Sequence, residues 1–238
     1  MQGKRVLITG GNSGIGKVTA IELAKLGAEV VLACRDSEKT SAALAEIGAH
    51  GKVENLPVDL ANLASVRSLA ATFLERYDRL DVLINNAGIF PRKLKLTDDG
   101  FETQFGVNHL AHFLLTNELL DCLKASAPSR VVTVTSKLHN NGKIDFDSFR
   151  GGQKYNPQKA YAQSKLANVL FGVELAERLQ GSGVSSNLLH PGGVRTDIMR
   201  EMPWLVRSIV NLFFISVEEG AKTSIMLASD PGLETTSG

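Results

Sequence analysis

Val6-Leu7-Ile8-Thr9-Gly10-Gly11-Asn12-Ser13-Gly14-Ile15-Gly16 is the stretch whose reading decides the fold. Its first four residues are apolar or β-branched without alternation, which suits a strand buried on both faces of a parallel sheet. The glycines suit a tight turn. After them Val18, Ile21, Leu23 and Leu26 keep helical spacing until Gly27 ends the run. A turn that opens a helix offers unpaired backbone N–H groups and the positive end of the helix dipole, and glycine lets a phosphate approach the backbone. The stretch is therefore read as a pyrophosphate cradle that includes Gly10, Gly14 and Gly16. Its GxxxGxG spacing departs from the GxGxxG fingerprint, and no GxxxxGK[ST] element is present. A tight turn without a ligand is the alternative that this stretch leaves open by itself.

Working outward, the alternation repeats. Strands are expected near 30–34, 53–57, 82–84, 131–134 and 184–189, with helices near 37–47, 62–77, 98–124, 157–180 and 217–229. Pro157 suits the first turn of its helix. The reading is an α/β, Rossmann-type doubly wound parallel sheet of six strands with helices on both faces, carried by a single domain over 1–238. Residues 191–216 break the rhythm with Pro191, Gly192, Gly193 and Pro203, followed by apolar residues that include Trp204, Phe213 and Phe214.

Composition narrows the function. Of 238 residues, 43% are hydrophobic and 21% charged, which excludes disordered and collagen-like classes. Lys and Arg total 26 against 25 Asp and Glu, so no basic footprint for nucleic acid is indicated. Cys34 and Cys122 form neither a disulfide framework nor a thiolate metal site by spacing. His109 and His112, three apart on a helix, have no third ligand nearby and are read as packing or surface residues; no metal is expected. No stretch approaches the ~18 apolar residues of a membrane-spanning helix, and cytoplasmic residence is the expectation.

The end of the second strand chooses between dinucleotides. An acidic residue there accepts the ribose 2′-hydroxyl, whereas a basic one meets a 2′-phosphate. Arg35 occupies that position, and Lys17 follows the last glycine of the turn, which favours NADP(H). The alternative leaves Arg35 and Lys17 as solvated charges, with Asp36 capping the next helix.

Tyr161 and Lys165 are four apart in a helical segment and share one face. A cation beside a phenol favours the phenolate, so the pair suits general acid–base chemistry, although such a pair also occurs on solvent-facing helices. Ser136 ends the strand over 131–135, and parallel sheets place their ligand crevice at the carboxyl ends of strands. A serine there is placed to polarise a carbonyl.

Taken together, Thr9-Gly10-x-x-x-Gly14-Ile15-Gly16, Asn85-Asn86-Ala87-Gly88, Asn108, Ser136, Tyr161-x-x-x-Lys165 and Pro191-Gly192 resemble the short-chain dehydrogenase/reductase family. Ala33-Cys34-Arg35-Asp36, the run from Val107 to Thr116, and His190-Pro191-Gly192 are most similar to its retinol dehydrogenase-like branch, typically NADP(H)-linked. The resemblance implies that Tyr161 exchanges a proton with the substrate oxygen and that Ser136 orients the carbonyl. Lys165 would hold the nicotinamide ribose and lower the Tyr161 pKa, and Asn108 would complete a water-mediated relay to Lys165. Gly10, Ser13, Ile15 and Gly16 would surround the pyrophosphate, Asp59 the adenine, Asn86 and Gly88 the adenosine side, and Thr196 the carboxamide.

The resemblance also makes about 192–216 a lid over a hydrophobic carbonyl or alcohol such as retinal or a fatty aldehyde. A subunit contact, ordinary packing and peripheral membrane contact are the other readings of that segment. Within enzymes the alternative is a broad carbonyl or quinone reductase; outside them it is an idle NADPH-binding regulatory protein. Homodimers or homotetramers through the helices near 98–124 and 157–180 are implied, and a seventh strand usual in the family would begin where the chain stops.

Overall fold

Neighbouring residues of the first strand go to opposite layers: Leu7 joins one hydrophobic core, while Val6 and Ile8 join another. This is what a continuously apolar strand requires, and it explains the absence of polar alternation. The computed structural model describes residues 1–151, 154–193 and 215–238. The first half consists of β1 (Arg5–Thr9), α1 (Gly14–Lys25), β2 (Glu29–Cys34), α2 (Glu38–Gly48), β3 (Val53–Pro57), α3 (Leu63–Arg76) and β4 (Val82–Asn85). The second half holds α4 (Thr103–Phe105), α5 (Ala111–Glu118), α6 (Leu120–Ala125), β5 (Ser129–Val134), α7 (Pro157–Arg178), β6 (Val184–Leu189) and α8 (Val217–Ser229).

The sheet has six strands in the order β3-β2-β1-β4-β5-β6, and every pairing is parallel. One face is covered by Val66, Leu69 and Phe73 of α3, Leu115 of α5, Leu123 of α6 and Leu175 of α7. The other is covered by Ala20 and Leu23 of α1, Ile47 of α2 and Leu227 of α8. The chain reverses its direction of winding between β1 and β4, and the crevice of such a sheet opens at the carboxyl ends of those strands. Beyond α8 the chain ends beside β6, where Gly238 N donates to Ser186 O at 2.9 Å.

The long helix expected over 98–124 is not continuous. Residues 97–101 form a turn instead, with Thr97 N bonded to Phe101 O at 2.8 Å and Gly100 at φ +78°. The helix starts at α4, where the buried Glu102 carboxylate accepts the N–H groups of Gln104 and Phe105. It widens to a π-turn over Gly106–Leu110 and breaks again at Leu119. Insertions of this kind re-aim side chains and recur at functional sites, and here the widened turn holds Asn108.

Candidate active site

The turn after β1 has the shape the glycines predict. Gly10 has φ +67°, a conformation that L side chains rarely adopt. At Gly16 the obstacle is space rather than φ: a Cβ would lie 2.5 Å from both Gly10 O and Asn86 Nδ2. Gly16→Ala should therefore push the turn open, costing about 1–3 kcal/mol of stability and weakening binding of a dinucleotide about tenfold or more. Thermal unfolding together with a fluorescence titration checks both effects.

Whether this turn fits a dinucleotide is answered by its hydrogen bonds. Helices α2, α3, α7 and α8 are each closed at the N-terminus by a side-chain cap, from Ser37, Asn62, Asn156 and Ser216. Ser13 stands at the N-cap of α1 in extended conformation and makes no such bond. Gly14, Ile15 and Gly16 thus head a helix with open N–H groups, next to backbone that only glycine permits, and this fits a pyrophosphate. The Ile15 side chain turns away and packs with Ala221 of α8.

Arg35 is exposed just past the end of β2. Its carbonyl accepts a 2.7 Å bond from Thr40, whose hydroxyl is also met by Asn12 at 2.9 Å. Asp36 does not cap α2: Ser37 does, and Asp36 accepts from Asn55 Nδ2 at 3.0 Å. Lys17 reaches Glu46 at 2.6 Å on the surface. Asp59 is exposed after β3 and accepts from Ala61 N at 2.9 Å. Thr196 lies outside the described residues, as does most of the expected lid with Trp204, Phe213 and Phe214.

At the carboxyl end of β4 the side chain of Asn86 turns inward, donating to Thr9 O at 2.9 Å and Gly10 O at 3.4 Å. The backbone N–H groups of Asn86 and Ala87 both donate to Thr9 Oγ1 at 3.0 Å. Asn86 therefore braces the glycine turn, a role its position in the sequence does not disclose. Gly88 brings the next residues together: a Cβ there would be 3.6 Å from Asn108 Oδ1 and 3.6 Å from Lys165 Nζ.

Asn108 is fully buried. Its side chain accepts from Ile89 N at 2.8 Å and donates to Ile89 O and Ser164 Oγ, each at 3.1 Å. Lys165 is 3% exposed, and its ammonium donates to Val134 O at 2.9 Å. Burial pushes the Lys165 pKa down to about 8. Tyr161 is buried too, with the edge of Phe90 against it at 5.2 Å between ring centroids. Burial pushes its phenol up to about 12, opposed by a hydrogen bond with Ser136. Lys165 Nζ lies 5.7 Å from the Tyr161 ring centroid. The expected lowering of the Tyr161 pKa by Lys165 is thus not what the chain alone produces; desolvation wins. A neutral phenol and a nearby ammonium remain, a pair able to give a proton to a developing alkoxide.

Reasoning from sequence missed Thr9 as the brace of two loops, Ser164 as a partner of Asn108, and Thr40 beneath Arg35. It also left His109 and His112 as generic packing residues. His109 Nδ1 pairs with Asn168 Oδ1 at 3.1 Å, and His112 lies between Thr9 and Asn108. The available signal was the spacing Asn108, His112, Thr116, a polar stripe at i, i+4, i+8 in a segment whose one other polar residue is His109.

A family model described as short chain dehydrogenase matches residues 4–204. Retinol dehydrogenase 14 of Homo sapiens is 50% identical over 260 residues, covering 100% of this chain and 77% of that protein. Retinol dehydrogenase 12 of Homo sapiens is 47% identical over 243 residues, covering 100% and 77%. Among solved structures, an uncharacterized protein from Mycobacterium Paratuberculosis is similar at 41% identity and TM-score 0.78, over 96% of this chain and 77% of that one. The NADP active-site complex of Pseudomonas aeruginosa RhlG is similar at 26% identity and TM-score 0.82, over 100% and 93%.

Proposed function

The chain belongs to the short-chain dehydrogenases, as a retinol dehydrogenase-like oxidoreductase acting on an alcohol or carbonyl with a nicotinamide cofactor, and from that premise we propose that it is an NADP(H)-dependent enzyme for a hydrophobic carbonyl and its alcohol. The observation that carries this reading is the convergence of Ser136, Tyr161, Lys165 and Asn108 on the ends of β4 and β5, beside the glycine turn of β1. The cofactor, when bound, supplies or accepts the hydride.

In the reductive direction, the Ser136 hydroxyl orients the substrate oxygen and Tyr161 donates its proton to it. The high pKa of Tyr161 keeps that proton in place until negative charge develops on the substrate. Lys165 holds the ribose and returns a proton toward the phenol, and Asn108, bonded to the backbone of Ile89, keeps the end of that relay in place. Gly10, Ser13, Gly14, Ile15 and Gly16 would hold the pyrophosphate by backbone N–H groups, and Asp59, Asn86 and Gly88 would line the adenosine side. Thr196 is assigned to the carboxamide from the motif alone.

The preference for NADP(H) is supported by the exposed Arg35 where an acid would accept a ribose hydroxyl, and by Asp36 being engaged with Asn55. Lys17, paired with Glu46 on the surface, would have to leave that partner to meet a 2′-phosphate. A hydrophobic substrate is supported by Phe90 against Tyr161 and by relatives named retinol dehydrogenases. The test is NADPH oxidation with all-trans-retinal, a long-chain fatty aldehyde, a steroid ketone and a quinone, with NADH as control. Retinal and the fatty aldehyde should exceed the quinone in kcat/KM by about tenfold or more, a transition-state difference of about 1.4 kcal/mol. Preference for the quinone would replace this reading with that of a broad carbonyl reductase, and no turnover of any carbonyl would overturn it.

A further inference from the structure

We infer that His112 is a positioning residue for the reaction, a neutral imidazole protonated on Nδ1 that locks the main chain of Asn108 to the Asn86–Ala87 loop through the hydroxyl of Thr9. The inference rests on the function proposed above and extends it to a residue outside the Ser136, Tyr161, Lys165 and Asn108 set.

The hydrogen bonds leave one consistent assignment. His112 Nδ1 lies 3.0 Å from Asn108 O, and a carbonyl only accepts, so Nδ1 carries a hydrogen. His112 Nε2 lies 2.8 Å from Thr9 Oγ1. That oxygen already accepts the N–H groups of Asn86 and Ala87, both at 3.0 Å, which occupy its two lone pairs. It has a hydrogen to give, and Nε2 is nearer than Ile84 O at 3.4 Å. A doubly protonated ring would aim a third donor at the same oxygen. The charged and titratable groups that bear on the ring, Lys165 and His109, act against a second proton, and full burial brings the His112 pKa down to about 4.

The lock has rigid ends. Asn168 Nδ2 holds Asn108 O from another side at 2.9 Å, and Thr116 Oγ1 donates to His112 O at 2.7 Å while accepting from Asn85 Nδ2 at 3.0 Å. The π-turn over Gly106–Leu110 and the loop after β4 are therefore joined through His112 and Thr9. They carry Asn108 and Gly88, and a Cβ at Gly88 would lie 3.6 Å from both Asn108 Oδ1 and Lys165 Nζ. A histidine that only filled space would not need opposite hydrogen-bonding roles at its two nitrogens.

The experiment combines one measurement on the unaltered protein with two variants. Long-range proton–nitrogen NMR of the nitrogen-labelled protein should show the Nδ1–H tautomer for His112, unchanged between about pH 5.5 and 8. The Nε2–H tautomer or an imidazolium in that range overturns the inference. His112→Phe keeps a flat ring and removes both bonds. At saturating NADPH it should lower kcat for the preferred aldehyde about tenfold or more, leave KM within about threefold, and speed amide exchange at Asn86 and Ala87 about tenfold. His112→Asn keeps a donor within reach of the carbonyl four residues back but no acceptor for Thr9, so it should recover part of the lost kcat while amide exchange at Asn86 and Ala87 stays fast. Equal kcat for the Phe variant and the unaltered protein, or an Asn variant no better than Phe, overturns it. Absence of turnover in the unaltered protein defeats the functional reading instead, and the tautomer and the amide exchange then decide the lock by themselves. Should the Phe variant not fold, the tautomer and the Asn variant decide.

Discussion

Tyr161→Phe should abolish most turnover while leaving NADPH binding nearly intact. The phenol is buried and its pKa is raised to about 12 against the opposing effect of Ser136, so at neutral pH it holds the proton that the substrate oxygen needs. Losing a positioned general acid costs about 10²–10⁴ in rate, whereas the phenylalanine ring preserves the packing against Phe90. The measurement is kcat on the preferred aldehyde together with an NADPH fluorescence titration; a variant within threefold of the unaltered protein in kcat would refute the assignment. Reduction by the unaltered protein should also decline as pH rises through about 8. Burial lowers the Lys165 pKa to about that value, so above it the relay loses the proton that reloads Tyr161. Below that pH both groups remain protonated, and the reductive rate should not depend on either.

Arg35→Asp should invert cofactor preference. The side chain is exposed, its backbone is held by Thr40, and the adjacent Asp36 accepts from Asn55 Nδ2. A charge-assisted bond to a phosphate contributes about 1.5–3 kcal/mol, and reversing the charge adds repulsion, so the NADPH dissociation constant should rise about 100-fold. The new carboxylate is able to accept the ribose hydroxyl, so NADH affinity should hold or improve. Titration of both dinucleotides checks the outcome. An equal loss for the two would show that Arg35 supports the turn rather than reading the phosphate.

Most of the fold follows from short-range rules. A continuously apolar strand, a glycine turn and a helix with a C-terminal glycine are specified within about one βαβ unit. The six strands fall where the alternation of residues puts them. The interrupted helix over 98–124 was not legible, because its start depends on Glu102 capping a turn closed by residues 97–101 and its π-turn has no consensus of its own. Apolar spacing is nearly the same for a continuous helix and for one with an inserted residue.

By itself the sequence determined the parallel sheet and its six strands, because these rest on apolar runs and turn glycines within short segments; the cradle glycines and the set of Ser136, Tyr161 and Lys165 followed as expectations from spacing and the family resemblance. Only the tertiary structure decided what Asn86, Thr9 and His112 do, since their bonds join residues 77 and 103 positions apart. It also decided the direction of the Tyr161 pKa. From spacing alone the neighbouring lysine argues for a lowered value, but a pKa answers to the whole dielectric surroundings, and burial of the phenol raises it against the opposing effect of Ser136.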